Sequence, residues 1–384
     1  MNKRSDLNKP RDLNKPLGLN KPWVIRQRFW SFSLPVKTVA VSMIIVFVTL
    51  SVMLFSLCAG TDWIAPDVVI SALSGSLDRQ GTDLQGQALH LKNLQGPNLQ
   101  GQTLTFIIES LRMPRMLMAA MVGAALGVAG LLLQSMIRNP LASSDVVGLT
   151  SGASAAAVSF LSFIHPLLSG VWLPVFAIAG AMLAAVLIYW LAWRNGVTPM
   201  RLILVGIGVS AAMGAVTTFA IAVSPESTSV TAYIWLTGSV YGAGWDDVKA
   251  LFPWLAVSLP LSLCLTRRIN AQELGDQVAT GLGVSVQTMR LCLFGLSVLM
   301  AAPAIAYAGA IGFAGLIAPH IARRLVIRSF GVLLPVTACT GACLVMLADV
   351  CGRLLFQPLD IPAGVFVSAI GAPFFIYLLY RQRF

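Results

Sequence analysis

The sequence predicts an all-α polytopic membrane protein with about ten transmembrane helices and a short re-entrant helix. Three observations predict it. The 384 residues are 57% hydrophobic and only 11% charged, whereas soluble domains carry about 25% charged residues. The mean hydropathy is +0.80. Apolar runs free of Asp, Glu, Lys and Arg recur along the chain at the length needed to cross roughly 30 Å of hydrocarbon. This composition excludes a disordered chain, which needs low hydrophobicity. The 33 glycines and 20 prolines exclude a coiled coil.

Residues 1–36 read as a basic, disordered tail. It opens with Leu-Asn-Lys-Pro repeated at Leu7, Leu13 and Leu19, and a proline every six residues blocks a regular helix. The membrane domain is expected over 37–384. Its first run, 38–58, follows a basic stretch, so a signal peptide is an alternative. The run is long, and Leu57 before Cys58 fits a lipoprotein site poorly, so a retained span is expected. The loop 59–111 follows. Within it the segment 84–104 has a strict period of five: Leu84, Leu89, Leu94, Leu99 and Leu104, with Leu-Gln-Gly at 84, 94 and 99. About four repeats would make one solenoid coil, too few to stand alone, so a low-complexity insertion is expected.

Further runs fall at 116–134, 146–164, 171–193, 202–223, 251–266, 329–348 and 361–380. The stretch 291–322 also lacks charge but is too long for one helix. Pro303, Gly309, Gly312 and Gly315 offer places to break it, and a split near 308 brings the total to ten spans. The run 230–245 is short and rich in Gly and Trp, which predicts a re-entrant or interfacial segment. Gly123 with Gly127, and Gly148 with Gly152, have the four-residue spacing that lets helices approach closely.

The formal net charge is +11. In a membrane protein, Lys and Arg collect on cytoplasmic loops because of translocation, which makes nucleic-acid binding the poorer reading. With both termini inside, cytoplasmic segments hold 20 of the 26 basic residues. The outer segments hold Arg79, Lys92, Arg112, Arg115, Lys249 and Arg353. The six cysteines form no CxxC or Cys/His cluster and read as small core residues.

No phosphate-binding loop, GxSxG or HExxH occurs. Asp349 is the candidate intramembrane carboxylate, but Arg353 lies at i+4, so a neutralised pair near the outer interface is expected. An ion-driven carrier would lack its coupling group, and energy is expected from a partner. The loop 267–290 is polar, helix-prone and broken by glycines, a suitable docking knob for a soluble protein.

Ordered motifs run through residues 37–384. They are Arg112-Met113-Pro114-Arg115, then Gly123 to Gly130 with Gln134, then Arg138-Asn139-Pro140-Leu141-Ala142 and Ser151-Gly152-Ala153. Trp235-Leu236-Thr237-Gly238-Ser239, Leu274-Gly275-Asp276 and Leu282-Gly283-Val284 follow. Gly312-Phe313-Ala314-Gly315-Leu316, Pro319-His320, Asp349, Arg353 and Gly371-Ala372-Pro373 close the set. With these motifs the chain resembles the FecCD-like permease subunits of bacterial iron-siderophore and cobalamin ABC importers of type II.

The resemblance implies ten spans and a cytoplasmic coupling helix. It also implies a second permease subunit (a homo- or heterodimer), two cytoplasmic ATPase subunits, a periplasmic substrate-binding protein and a ferric-siderophore substrate. The chain would then be a multi-pass protein of the bacterial inner membrane, with both termini cytoplasmic. It would have no ATPase, catalytic, metal or cofactor site of its own. Leu274, Gly275, Asp276, Leu282 and Gly283 match the ATPase-coupling loop. Arg112, Arg115 and Arg353 match positions that dock the binding protein, where Arg suits carboxylate pairing. Asn139, Pro140 and Leu141 match a cytoplasmic gate where two subunits meet, and Pro319 and His320 a motif without an assigned role. Ser143-Ser144 departs from the family's usual pattern after Asn-Pro-Leu-Ala, which predicts a looser turn. Alternatives are a cobalamin or haem permease, and a stand-alone secondary carrier. An intramembrane enzyme would need a nucleophile facing a base, and one His near a helix end is thin support.

Overall fold

The computed structural model describes residues 22–27, 30–60, 63–74, 103–165, 167–326 and 329–381, with the backbone alone for 22–36. The Leu-Asn-Lys-Pro repeats and nearly all of the period-five segment fall outside the described residues. The expected tail 1–36 is corrected at its end. β1 (Pro22–Gln27) pairs antiparallel with β2 (Trp30–Pro35), Gln27 opposite Trp30. The prolines stop recurring there, and β-branched and aromatic residues such as Val24, Ile25, Trp30 and Phe32 suit a pleated ribbon.

The rest is helical. α1 (Val36–Cys58) and the short α2 (Pro66–Leu73) precede a 35-residue helix at 103–137. After its first four residues that helix has a π-helical stretch, Ile107–Arg112, and continues as α3 (Met113–Ile137). α4 (Ser144–Val147) and α5 (Leu149–Ser159) follow, with a second π-helical stretch at Phe160–Ile164. Then come α6 (Leu173–Ala192), α7 (Pro199–Ala222), α8 (Glu226–Thr237) and α9 (Trp245–Cys264). α10 (Thr266–Glu273) and α11 (Asp276–Gly281) are short. α12 (Val286–Ala308), α13 (Ala314–Leu325), α14 (Phe330–Leu354) and α15 (Ala363–Arg381) complete the order.

Eight helices among the described residues are long and apolar enough to cross a membrane. The other two of the ten expected spans are shorter. One is the apolar segment Leu149–Ile164. The other is α13, whose 12 residues reach only about 18 Å. The uncharged stretch does break at 308, and the break is built in. Gly309 has φ 72° and Phe313, at the start of α13, has φ 60°.

Polar backbone exposed by such a break must be paired inside a membrane. The segment after α8 provides partners. Ser239 N–H donates to the Ala308 carbonyl at 2.7 Å, and Gly364 N–H donates to the Gly238 carbonyl at 2.9 Å. The Trp-Leu-Thr-Gly-Ser motif therefore plugs the gap between the end of α12 and the start of α15. A side chain at Gly364 or Gly309 would overlap carbonyls of this segment.

α3 is the centre of the bundle, and from Gly123 to Ile137 all but Ala124 are buried. Its glycines face different neighbours. A Cβ at Gly123 would overlap the Gly341 carbonyl of α14, and one at Gly130 the Gly315 carbonyl of α13. Gly152 of α5 meets Gly180 of α6 in the same way. Between helices in lipid, where apolar burial drives little, this backbone proximity supplies the contact.

Candidate coupling and gate site

α3 ends on Arg138, a non-glycine residue in the left-handed region (φ 55°, ψ 35°). The turn 139–142 follows and is internally tied. Leu141 N–H donates to Asn139 Oδ1 at 2.9 Å, and Ala142 N–H to the Asn139 carbonyl at 3.2 Å. Pro140 keeps Asn139 out of the helical region, which ends α3 there. Leu141 packs against the small cluster formed by Leu316 and Ile317 of α13 and Leu378 of α15. Ser143 Oγ accepts from Val146 N–H at 3.4 Å and caps α4. Asp145 then bridges to the break in the apolar stretch. One carboxylate oxygen accepts from Thr150 Oγ1 and the other from Phe313 N–H at 3.2 Å.

The loop expected as one Gly-capped helix is two short helices, α10 and α11, hinged at Gly275 (φ 114°) and stopped at Gly283 (φ 79°). These φ values belong to glycine. Leu274 and Leu282 are 67% and 63% exposed, and Val278 between them is also exposed. Asp276 points the other way. Its Oδ1 meets Arg138 Nη2 at 2.8 Å and its Oδ2 meets Arg290 Nη2 at 2.7 Å. Arg290 is 6% exposed and also donates to the Val197 carbonyl at 2.6 Å. One α3 turn before Arg138, Ser135 Oγ donates to Glu273 at 2.8 Å. The two short helices are thus bonded to the end of α3 and to α12.

At the opposite end of α3 the three arginines expected to dock a partner are bonded within the chain. Arg112 Nη1 donates to the carbonyls of Leu57 and Cys58 at 2.8 and 3.0 Å. Arg115 holds Asp349 through Nε and Nη2 at 2.9 and 2.7 Å and clamps both oxygens of Asp360 at 2.7 and 2.8 Å. Its guanidinium also lies 5.4 Å from the centroid of the Tyr241 ring. Arg353 reaches Asp349 at 3.1 Å and donates to the Ala59 carbonyl and Ser56 Oγ, both at 2.9 Å. The expected Asp349–Arg353 pair is present, and Arg115 joins it. Pro319 is buried in α13, and His320 packs edge-on against Phe374 at 5.3 Å.

The model of the FecCD transport family matches residues 44–381. The chain belongs to that family. It is 48% identical over 360 residues to the achromobactin transport system permease protein CbrC of Dickeya dadantii, covering 94% of this chain and 97% of that one. It is 41% identical over 278 residues to the Fe(3+) dicitrate transport system permease protein FecD of Escherichia coli, covering 72% and 86%. A solved inward-facing structure of a metal-chelate type ABC transporter superposes with a TM-score of 0.72 at 25% identity. That match covers 90% of this chain and all of the other. The chain is a multi-pass permease subunit of the ABC transporter class.

Sequence reading did not assign roles to Arg138, Asp145, Glu273, Arg290 or Asp360. Arg138 stands inside the motif Arg138-Asn139-Pro140-Leu141-Ala142, next to the candidate gate residues, which was a usable signal. Asp360 and Arg290 carried none, since their partners lie 245 and 14 residues away. Among the described residues no group of His, Cys, Asp and Glu could hold a metal ion.

Proposed function

We propose that this chain is the permease subunit of a bacterial importer for ferric siderophores. It sits in the inner membrane with both termini cytoplasmic and pairs with a second permease. Two ATPase subunits bind the α10–α11 side, and a periplasmic binding protein delivers the chelate at the Arg115 side. The observation that carries this reading is the exposed apolar edge of Leu274, Val278 and Leu282 on two short helices rooted in the bundle. An isolated membrane protein has little reason to hold three large apolar side chains out on a polar loop.

Each residue has a part in this reading. Leu274 and Leu282 enter a groove of the ATPase, and Gly275 and Gly283 shape the helices that present them. Asp276, already paired with Arg138 and Arg290, fixes the orientation of α11. Asn139, Pro140 and Leu141 form the cytoplasmic gate against α13 and α15. At the outer end Arg112 and Arg353 are committed to carbonyls and to Asp349. Docking of an acidic binding-protein residue therefore runs through Arg115, by exchange with Asp360, the more exposed of its two carboxylates at 27%. The iron-chelate cargo rests on the likeness to the achromobactin and Fe(3+) dicitrate permeases.

The test is uptake of radiolabelled ferric chelates by cells lacking this chain. Loss of uptake of one chelate, restored by the gene and not by a Leu274→Asp copy, is the expected result. Unchanged uptake of catecholate, hydroxamate and citrate chelates, with loss of cobalamin or haem uptake instead, would replace the iron assignment.

A further inference from the structure

We infer that Arg138 is a positioning residue that carries movement of the α10–α11 helices to the gate turn 139–142. The inference rests on the permease reading above. Three observations place it there. First, Arg138 is the residue directly before the turn, and its side chain reaches Asp276, the first residue of α11, at 2.8 Å. Second, it holds a left-handed backbone (φ 55°), uncommon for a non-glycine residue, at the point where the helix stops. The ion pair to Asp276 anchors the side chain of that residue. Third, the turn is internally tied, because Asn139 accepts hydrogen bonds from both Leu141 N–H and Ala142 N–H.

The carboxylate of Asp276 is divided between two cations of different character. Arg290 is buried on the long α12 and tied to the Val197 carbonyl, so it is the fixed side. Arg138 is 34% exposed at a helix end, so it is the movable side. When an ATPase displaces α11, the Asp276–Arg138 bond pulls on the backbone at 138. The turn then rotates and withdraws Leu141 from Leu316, Ile317 and Leu378. A single ion pair converts a shift on the loop into a change at the gate.

The experiment uses the full transporter with its ATPase subunits. A cysteine at Leu141→Cys is reacted with a charged maleimide, with and without ATP and vanadate, against the parent lacking that cysteine. Arg138→Gly accepts the left-handed backbone without strain yet has no cation, so it separates the ion pair from the backbone. We expect the nucleotide-dependent change in labelling to fall roughly five-fold in Arg138→Gly and Arg138→Gln, the lower range for coupling between two sites. Arg138→Lys should retain most of it, and the ATPase should co-purify with all three. A full nucleotide response in Arg138→Gly overturns the inference alone. No response in the Leu141→Cys transporter overturns the gate assignment of 139–142 in the permease reading, and the inference with it.

Discussion

The two ends of α3 each carry a carboxylate shared by two arginines, yet they are built for different tasks. At one end Asp349 is 2% exposed, and Arg115 and Arg353 beside it are nearly as buried. Every member sits on or beside a long helix, and the arginines also bind carbonyls of 56–59 or the second acid Asp360. At the other end Asp276 is 41% exposed and sits on a six-residue helix between glycines. The same ionic arrangement is a rivet where it is dry and held by long helices. It is a joint where one partner is wet and mounted on a short helix. Burial and the stiffness of the supporting elements, rather than the pairing itself, set the difference.

That contrast can be broken at several points, in order of expected effect. Asp349→Ala leaves two buried guanidinium groups without their shared anion and should destabilise the protein by about 3–5 kcal/mol. A melting midpoint in detergent equal to that of the unaltered chain would show the cluster is no rivet. Arg290→Met removes the fixed side of the joint and leaves the Val197 carbonyl unpaired, at about 1–3 kcal/mol. Asp276 can then turn to water and Arg138, so the loss should be smaller than at Asp349. The two melting shifts, measured side by side, check the order. Asp360→Asn should cost about 1 kcal/mol or less, because that carboxylate is part-exposed and Asp349 still holds Arg115. A shift as large as that of Asp349→Ala would make Asp360 a full member of the rivet. Leu274→Asp should alter stability by no more than about 0.5 kcal/mol, while weakening ATPase co-purification severely if Leu274 is a central contact. A large melting shift for this variant would mean that Leu274 packs within the fold.

Much of the architecture was legible because hydrocarbon thickness imposes it. Span positions followed from uncharged runs, and the break near 308 from an uncharged stretch too long for one helix. The loop 267–290 announced helical structure by polarity and its breaks by glycines, though not that it holds two helices. Asp349 with Arg353 was visible because i,i+4 spacing on a helix is local. What was not legible was non-local. Arg115 lies 234 residues before Asp349, and nothing in the local pattern of either indicates the other. The hairpin at 22–35 was missed because a repeat containing proline dominated the reading of the whole segment.

The sequence by itself determined that this chain is a polytopic membrane protein, roughly where its apolar spans lie, and which motifs mark its family. Those properties depend on composition and short spacings, which water and lipid read directly. Only the tertiary structure decided which arginine meets which carboxylate, that the Trp235–Ser239 segment satisfies the broken ends of α12 and α15, and that Arg138, beside the turn 139–142, meets α11. Those depend on helices approaching through glycine faces far apart in the chain. There the identity of a partner is set by packing geometry, which no local pattern of residues encodes.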